Sequence, residues 1–530
     1  MSKSAEYDVA IIGAGHNGLT AGCYLASEGK RVVVIEALDK AGGMCNSGYT
    51  LPEAPHHMIH PCALDLMSLR VHPMVPDELE LARHGFCQER MLPGYVFLHP
   101  DGSSLVFGSS PEETAAEIRR FSEHDADAFL ELMKIVYAFV DMALPQMRAD
   151  PARFNFGAKM KSLAALLKNI KLKPEIMALM GSPAYTTIME RFEHDVTRSA
   201  LCCLLGAAGP IANEGSGIAF ALLGFVQRFG LGRSIGGMQN LSNAFVSRFK
   251  EVGGELILST RVEEIVSEAR KVEGVRLADG RILGAKAVIG AIHPKPALEM
   301  VTSGEIERKW LTRVALAPAN SQGAAPVKVD VALSGQISYK RHESLRTDGV
   351  SFRKSGIILG TAEGVIDNFR CAARGEVSKM PYQWITAPTG MDPSQAPEGQ
   401  DVAYLYPVAM PVNPTQGWDA IRDDVAQMLI DQASEYMDGL KEFEIARNID
   451  VPQDWEARYN VHNGCVVHID TLATRSGGMR PAAGLGGDTL PVEGLYFGGA
   501  GIAPGGGVNG LPGRITAARV SRYLRKKYRQ

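Results

Sequence analysis

The first forty-three residues constrain the fold more than any other part of the chain. Tyr7 to Ile12 is a short apolar run that reads as a strand. It leads into Gly13-Ala14-Gly15-His16-Asn17-Gly18, and a helix follows to about Ser27. Gly29 closes that helix, and Arg31 to Ile35 is a second strand ending on Glu36. Strand, glycine loop, helix, strand and acid, in that order, make an ADP-binding unit. Gly13 permits the tight turn. Gly15 has no side chain to keep a pyrophosphate from the backbone and from the helix N-terminus, where free N–H groups favour an anion. Gly18, with Gly22 one turn on, lets the helix lie close to the strand. Glu36 stands eighteen residues after Gly18, placed to accept from both ribose hydroxyls and to repel a 2′-phosphate. The unit therefore suits NAD or FAD rather than NADP.

Three further glycine clusters extend the pattern. Gly42-Gly43-Met44 follows the acid; NAD binding does not need it, whereas a chain passing closely over a flavin's ribityl-pyrophosphate does, and a plain turn is the other reading. Gly236-Gly237-Met238 opens a helix through Phe249. Alternating strands follow at Glu255 to Leu258, Val262 to Ser267, Gly274 to Leu277 and Arg281 to Ile289, with a turn at Asp279-Gly280. They read as a β-meander returning to the nucleotide sheet. Gly494 to Gly501 is a strand running into a glycine turn, and a loop through Pro504 to Gly510 precedes a helix from Leu511 to about Leu524.

Between these clusters the signal is coarser. Residues 110–230 read as largely helical, with runs such as Pro111 to Ile135. Residues 300–455 read as a mixed insertion with strands at Val327 to Leu333, Gly356 to Gly360 and Val402 to Val408, and a helix from Trp418 to Leu440. At 530 residues the chain has room for two or three domains, and its net charge of −4 gives no reason to expect nucleic acid. The eight cysteines include no CxxC pair, which excludes the redox pair of a flavin disulfide reductase and fits a reduced, cytoplasmic setting. The first strand leaves no room for a signal peptide, and the apolar stretch from Ala200 to Phe225 is too interrupted for a membrane span.

The amino-terminal unit with Gly42-Gly43, the central Gly236-Gly237-Met238, Arg480-Pro481, Gly494-Leu495-Tyr496-Phe497-Gly498-Gly499-Ala500-Gly501 and the tail Pro504 to Arg514 together resemble the phytoene desaturase-related flavoproteins. Within that family the pattern is similar to the branch holding the ketolase-type carotenoid enzymes and pyridine nucleotide-disulfide oxidoreductase domain-containing protein 2, although nothing here suits disulfide chemistry. The resemblance implies FAD as cofactor and the fold shared by amine oxidases. That is an α/β architecture: a Rossmann-type FAD domain from 1–75, 232–297 and 478–530, with an inserted α+β substrate domain from 76–231 and 298–477. It implies cofactor contacts at Gly13, Gly15, His16, Asn17, Gly18, Glu36, Gly42, Gly43, Met44, Val262, Gly499, Ala500, Gly506, Gly507, Val508 and Asn509. The last helix N-terminus, near Val508 to Leu511, would face the flavin N1–C2=O edge.

The activity implied is FAD-dependent dehydrogenation, hydride and proton leaving an apolar polyene, lipid-like or alicyclic substrate to form a double bond. The electron acceptor is oxygen, a quinone or another carrier; self-association into a homo-oligomer stays open. A flavin amine oxidase on the same fold is one alternative, and a non-catalytic binding protein like the GDP-dissociation inhibitors is another. Lys328, inside an apolar strand, either reaches flavin N5 through a water, as a lysine does in the related amine oxidases, or points to solvent. His468 and His462 either touch substrate as acid or base or are satisfied buried groups. His56, His57 and His60 lack a completing ligand set, so no metal is expected, and the Tyr49 to Asp65 loop reads as a cover for the flavin or substrate entry. Gly232-Arg233-Ser234-Ile235-Gly236 matches the GxSxG string, but no clear strand leads into it. Lysines at 159, 161, 168, 171 and 173 alternate with Leu163, Leu166, Leu167, Ile170 and Leu172. This stretch lies either on a membrane surface or, the favoured reading, with an apolar face turned into the core. The basic tail from Arg522 to Arg529 reads as a solvated end.

Overall fold

The computed structural model describes residues 6–488 and 490–528. The strand Tyr7–Ile12 is buried along its whole length, as an apolar run with no alternation must be when both sheet faces are covered. It pairs in parallel with Val32–Ile35 on one side and with Ile282–Gly290 on the other. Glu255–Ile257 extends the sheet beyond Val32–Ile35. Ile282–Gly290 serves two layers. Its first residues pair antiparallel with Lys271–Leu277, which in turn pairs with Val262–Glu268. Its last residues pair in parallel with Leu495–Phe497. The meander thus feeds back into the nucleotide sheet, and the carboxy-terminal strand joins beside it.

A second seven-stranded sheet has the order Glu444–Asp450, Lys328–Leu333, Asp401–Pro407, Gln383–Thr386, Gly356–Leu359, Tyr95–Leu98, Ser104–Phe107. All its pairings are antiparallel except Gly356–Leu359 with Tyr95–Leu98. Helices from the 111–229 stretch cover one flank of it through a core that includes Phe129, Val136, Phe220 and Leu223. The helix Trp418–Ser434 packs through Leu429 and Ile430 on the other core, which includes Leu405 of the sheet.

Several boundaries differ from the sequence reading. The run from Pro111 is two helices, Pro111–Arg119 and Glu123–Met147, because Ser122 caps the second through the backbone N–H of Asp125. The helix from Trp418 stops at Ser434, and the apolar residues beyond it, Tyr436, Met437 and Leu440, are buried from a non-helical turn. Gly232–Ser234 is itself a short strand, paired with Gln88–Arg90. Ser234 is buried at the end of that strand, four residues before the helix starts at Met238, so the sharp strand-to-helix turn of a nucleophile elbow is missing.

The 156–181 region bears out the favoured reading only in part. Phe156–Lys168 turns a narrow face to Glu123–Met147, with Ala158 buried, Ser162, Ala165 and Leu166 half-buried and Ser162 donating to the Met142 carbonyl oxygen at 2.8 Å, while Phe156, Leu163, Leu167 and Ile170 are exposed. The basic tail is solvated at Arg525, Lys526 and Lys527, as expected, but it is also tied down by ion pairs. In the helix Leu511–Tyr528, Arg522 pairs with Asp150 and Asp488, Arg525 with Glu28 and Lys527 with Glu493. Arg529 lies outside the described residues. Among the described residues, no helix is long and apolar enough to cross a membrane.

Candidate active site

The loops at the carboxyl ends of the nucleotide-sheet strands border a cavity of about 540 Å³, where such sheets bind ligands. Widely separated parts of the chain meet there. Gly13, Gly15, His16, Asn17, Glu36, Gly42, Gly43 and Met44 come from the amino-terminal unit, Val262 from the meander, and Gly499, Ala500, Gly507 and Val508 from the carboxy-terminal loop. His468 lines it too.

The glycine loop divides into two kinds of position. A Cβ on Gly18 would lie 2.1 Å from the Gly13 carbonyl oxygen, so this glycine is set by helix-to-loop packing and does not line the cavity. A Cβ on Gly15 would meet no protein atom within 4 Å, so the space above it belongs to the cavity. Gly15 and Gly42 form a parallel bridge that sets the two glycine turns side by side. Glu36 is held by the backbone N–H groups of Ala14 and Leu38, at 2.8 and 2.9 Å. Its own backbone oxygen accepts from Thr260 at 2.9 Å, which ties the 257–262 segment to the acid.

Two further predicted contact residues are structural supports. A Cβ on Gly506 would fall 2.5 Å from Val467 Cγ1, so this position lets the carboxy-terminal loop pack on the 467 segment. Asn509 Oδ1 accepts from the Leu511 N–H at 2.8 Å and so starts the last helix.

His468 sits in the left-handed region, with φ +63°. Its backbone oxygen accepts from His293 Nε2 at 2.9 Å, and the two rings lie 5.5 Å apart. Its Nδ1 is buried without a partner, and burial drives its pKa well below the ordinary imidazole value. Arg480 fixes this segment in place. It donates to the carbonyl oxygens of Val467 at 2.7 Å, Ile469 at 2.8 Å, Asp470 at 3.2 Å and Ala500 at 3.0 Å. His462 pairs with Glu456 and stacks edge-on to His293.

Lys328 does not reach the cavity. The side chain is completely buried, pairs with Asp330 and lies with Nζ 3.7 Å from the Tyr404 ring centroid. Both earlier alternatives, cavity and solvent, are replaced by a buried ion pair between two cores. His57 and His60 are likewise engaged in packing, with Nε2 on the Leu333 carbonyl oxygen at 3.2 Å and on Gln395 Oε1 at 2.7 Å. Of the Tyr49 to Asp65 loop, only Cys62, Ala63 and Asp65 line the cavity.

Sequence reasoning missed Arg261, Tyr95, Trp384, Phe225 and the Arg458 to Val461 turn, all on the cavity wall. Arg261 adjoins Val262 and was within reach of the meander argument. The others lie in segments where strand and helix periodicity carries no sign of which side faces a ligand.

The residues present fit FAD. The open space above Gly15 and the glycine pair at 42–43 leave room for a pyrophosphate, Glu36 is an acceptor for ribose, and buried polar atoms of His16 (Nε2), Asn17 (Oδ1) and His468 (Nδ1) have no protein partner. The profile described as flavin containing amine oxidoreductase matches residues 18–520. The chain belongs to that family. It is an FAD-dependent oxidoreductase of the amine oxidase and phytoene desaturase type. Pyridine nucleotide-disulfide oxidoreductase domain-containing protein 2 of Mus musculus is 27% identical, the match covering 98% of this chain and 94% of that protein. A lycopene-forming phytoene desaturase of Pseudescherichia vulneris is 24% identical over 97% of this chain and 98% of its own. Among solved structures, cyclohexylamine oxidase from Brevibacterium oxydans superposes with a TM-score of 0.59 at 15% identity, covering 99% of this chain and 100% of its own. The phytoene desaturase-related resemblance read from the motifs therefore holds, and so does the α/β fold with its Rossmann-type FAD-binding part.

The family member's buried histidines make its stability depend on pH. Burial holds His16, His60 and His72 at about 4 and His293 at about 3, against 6.5 in an exposed imidazole. The native state keeps these rings neutral, so their contribution is complete above pH 6.5 and is lost as pH falls toward 4 and 3. Asp330, raised to about 6 by burial, works in the opposite sense, but it is one group against four. The expected result is a fall of several kcal/mol, on the order of 2 per histidine, between pH 6.5 and 4. Denaturant unfolding at a series of pH values checks it; a flat profile across that window contradicts it.

Proposed function

We propose that the enzyme removes a hydride from one carbon and a proton from its neighbour in an apolar substrate, leaving a double bond. The observation that carries this reading is the character of the wall facing the glycine loops. Ala207, Ala208, Ile218, Ala219, Leu222 and Phe225 form an apolar face. The lining carboxylates are Glu36, tied to two backbone N–H groups, and Asp65, paired with Arg233 at 3.1 Å. Neither is free to hold a substrate ammonium, which favours desaturation over amine oxidation. FAD, when bound, would supply the two-electron acceptor, taking up the hydride and, as the fully reduced flavin, the proton as well. The chain's part is to exclude water and hold the substrate still. His468 suits orientation better than proton storage, because its depressed pKa makes it a weak base. A pH profile of kcat with no inflection near the imidazole value is its expected signature.

The test is anaerobic addition of apolar alicyclic and polyene compounds, and of primary amines, to the oxidised holoenzyme. Bleaching of the flavin by an apolar compound, with a product two hydrogens lighter, is expected. Bleaching by amines alone overturns the reading.

We also propose that the 154–177 surface rests on an anionic membrane, from which a lipid-like substrate enters. Phe154, Phe156, Leu167 and Met177 are 72%, 67%, 61% and 61% exposed. Lys159, Lys161, Lys168, Lys171 and Lys173 are exposed among them, and no acid occurs between Arg153 and Pro174. Exposed apolar side chains rimmed by cations suit an interfacial helix. The following helix, Lys173–Gly181, is bonded through the Gly181 carbonyl oxygen to Gly215 at 2.7 Å, next to the turn that carries Ile218 and Ala219 to the cavity. Co-sedimentation with phosphatidylserine vesicles at low salt, lost at high salt and in a Phe156→Ser/Leu167→Ser variant, is expected. No sedimentation at low salt contradicts it.

A further inference from the structure

A second, smaller chamber of about 200 Å³ opens beside the cofactor cavity, and Cys62, Ala63, Asp65, Tyr95 and Trp384 line both. Its floor is the second sheet, with Trp384 on Gln383–Thr386 and Tyr404 and Tyr406 on Asp401–Pro407. Arg233 stands in its wall, 3% exposed, carried by the short strand Gly232–Ser234.

The hydrogen-bond ledger of this chamber is lopsided. Tyr95 spends its hydroxyl proton on Asp65 Oδ2 at 3.1 Å, Tyr404 on the Cys62 carbonyl oxygen at 2.7 Å, and Thr386 on the Ser355 carbonyl oxygen at 2.8 Å. Arg233 donates from Nε to Asp65 Oδ1 at 3.1 Å and from Nη2 to Thr386 Oγ1 at 3.0 Å. Two buried N–H donors are left over, besides the Tyr406 hydroxyl: among the described residues, neither Arg233 Nη1 nor Trp384 Nε1 has an acceptor. A buried N–H without an acceptor costs about 1–3 kcal/mol, more when charged, so an electron-rich atom bound here gains from meeting either donor.

Charge narrows what that atom belongs to. Asp65 already balances the guanidinium, so the chamber carries no net charge from this pair. A carboxylate would bring a second anion beside Asp65. An ammonium would meet Arg233 and find both Asp65 oxygens engaged. A neutral carbonyl oxygen meets neither penalty and accepts from both N–H groups. The surrounding Tyr95–Trp384 edge contact, with ring centroids 4.8 Å apart, and the Tyr404–Tyr406 stack suit the carbon skeleton around it.

We propose that the substrate is an apolar carbonyl compound, a ketone, enone or ester, whose oxygen is held in this chamber by Arg233 and Trp384 while its hydrocarbon part extends into the cofactor cavity. The assignment rests on the reading of that cavity as the site of an apolar substrate. Arg233 thereby selects oxygenated substrates over plain hydrocarbons.

Titration calorimetry on the FAD-loaded enzyme tests it with three probes of one shape: 2-decalone, 2-methylenedecalin, in which C=CH₂ replaces C=O, and decalin-2-carboxylate. The ketone is expected to bind about tenfold or more tighter than the alkene and tighter than the carboxylate. In Arg233→Met that advantage falls to about twofold, and Trp384→Phe, which keeps the Arg233–Asp65 pair, also lowers the ketone-to-alkene ratio. Equal ketone and alkene affinities in the unaltered enzyme, a ratio that neither variant moves, or a carboxylate that binds tightest would each overturn the proposal. Binding of neither neutral probe would instead overturn the apolar-substrate reading beneath it, and this assignment with it.

Discussion

Gly15→Val yields a folded protein that does not retain FAD. The position has ordinary extended backbone angles, φ −67° and ψ 165°, which valine adopts without strain. A Cβ there touches no protein atom within 4 Å, so the apoprotein has nothing to rearrange. The added methyl groups stand instead where a pyrophosphate must approach the loop and the helix N-terminus. A loss of about a hundredfold or more in FAD affinity is expected, with the apoprotein melting within about 2 °C of the unaltered apoprotein. Gly18→Ala is the contrasting control. Its Cβ collides with the Gly13 carbonyl oxygen at 2.1 Å, so there the fold itself suffers. Flavin content and thermal denaturation of the two apoproteins separate the outcomes; full flavin retention by Gly15→Val would remove the loop from the cofactor site.

Arg480→Met is expected to cost about 3–5 kcal/mol of stability and to disorder the cavity wall that carries His468. The guanidinium is the shared partner of four carbonyl oxygens, three from 467–470 and one from Ala500. Burial lowers its pKa only to about 10, so it stays charged at neutral pH and those bonds are charge-assisted. Methionine fills the same volume but donates nothing, leaving those oxygens inside the protein without this partner. Arg480→Lys restores the charge but not the planar fork, and so recovers part of the loss. Urea unfolding measures the stability, and flavin circular dichroism reads the wall around the cofactor. A loss below about 1 kcal/mol would mean that the two segments hold together by other means.

The legible parts of this protein are those where backbone geometry dictates residue type. Glycine loops before helices, an acid at a strand tip and a buried apolar strand leave strong marks, so the elements around 7–44, 238–290 and 495–528 stood out from sequence. Lys328 did not, because alternation along a strand says that a side chain faces inward or outward but not which of two interiors receives it. Here it is a buried site beside Tyr404, where Asp330, two residues along the same strand, pairs with the lysine. The 159–173 stretch was legible only in part for a related reason: leucines at helical spacing mark apolar faces, but Leu166 and Leu172 turn toward the protein while Leu163, Leu167 and Ile170 are left bare. Trp384 and Arg233, on strands of two different sheets, meet in one chamber through packing of segments far apart in sequence, and no local pattern records that meeting.

Hydrogen–deuterium exchange of the apoprotein, with and without FAD, tests the central claim most directly. Added FAD is expected to slow exchange together at 13–17, 36–44, 260–262 and 499–509, the separate segments that border one cavity. Protection confined to the amino-terminal loop, with the carboxy-terminal glycines exchanging as before, would contradict it.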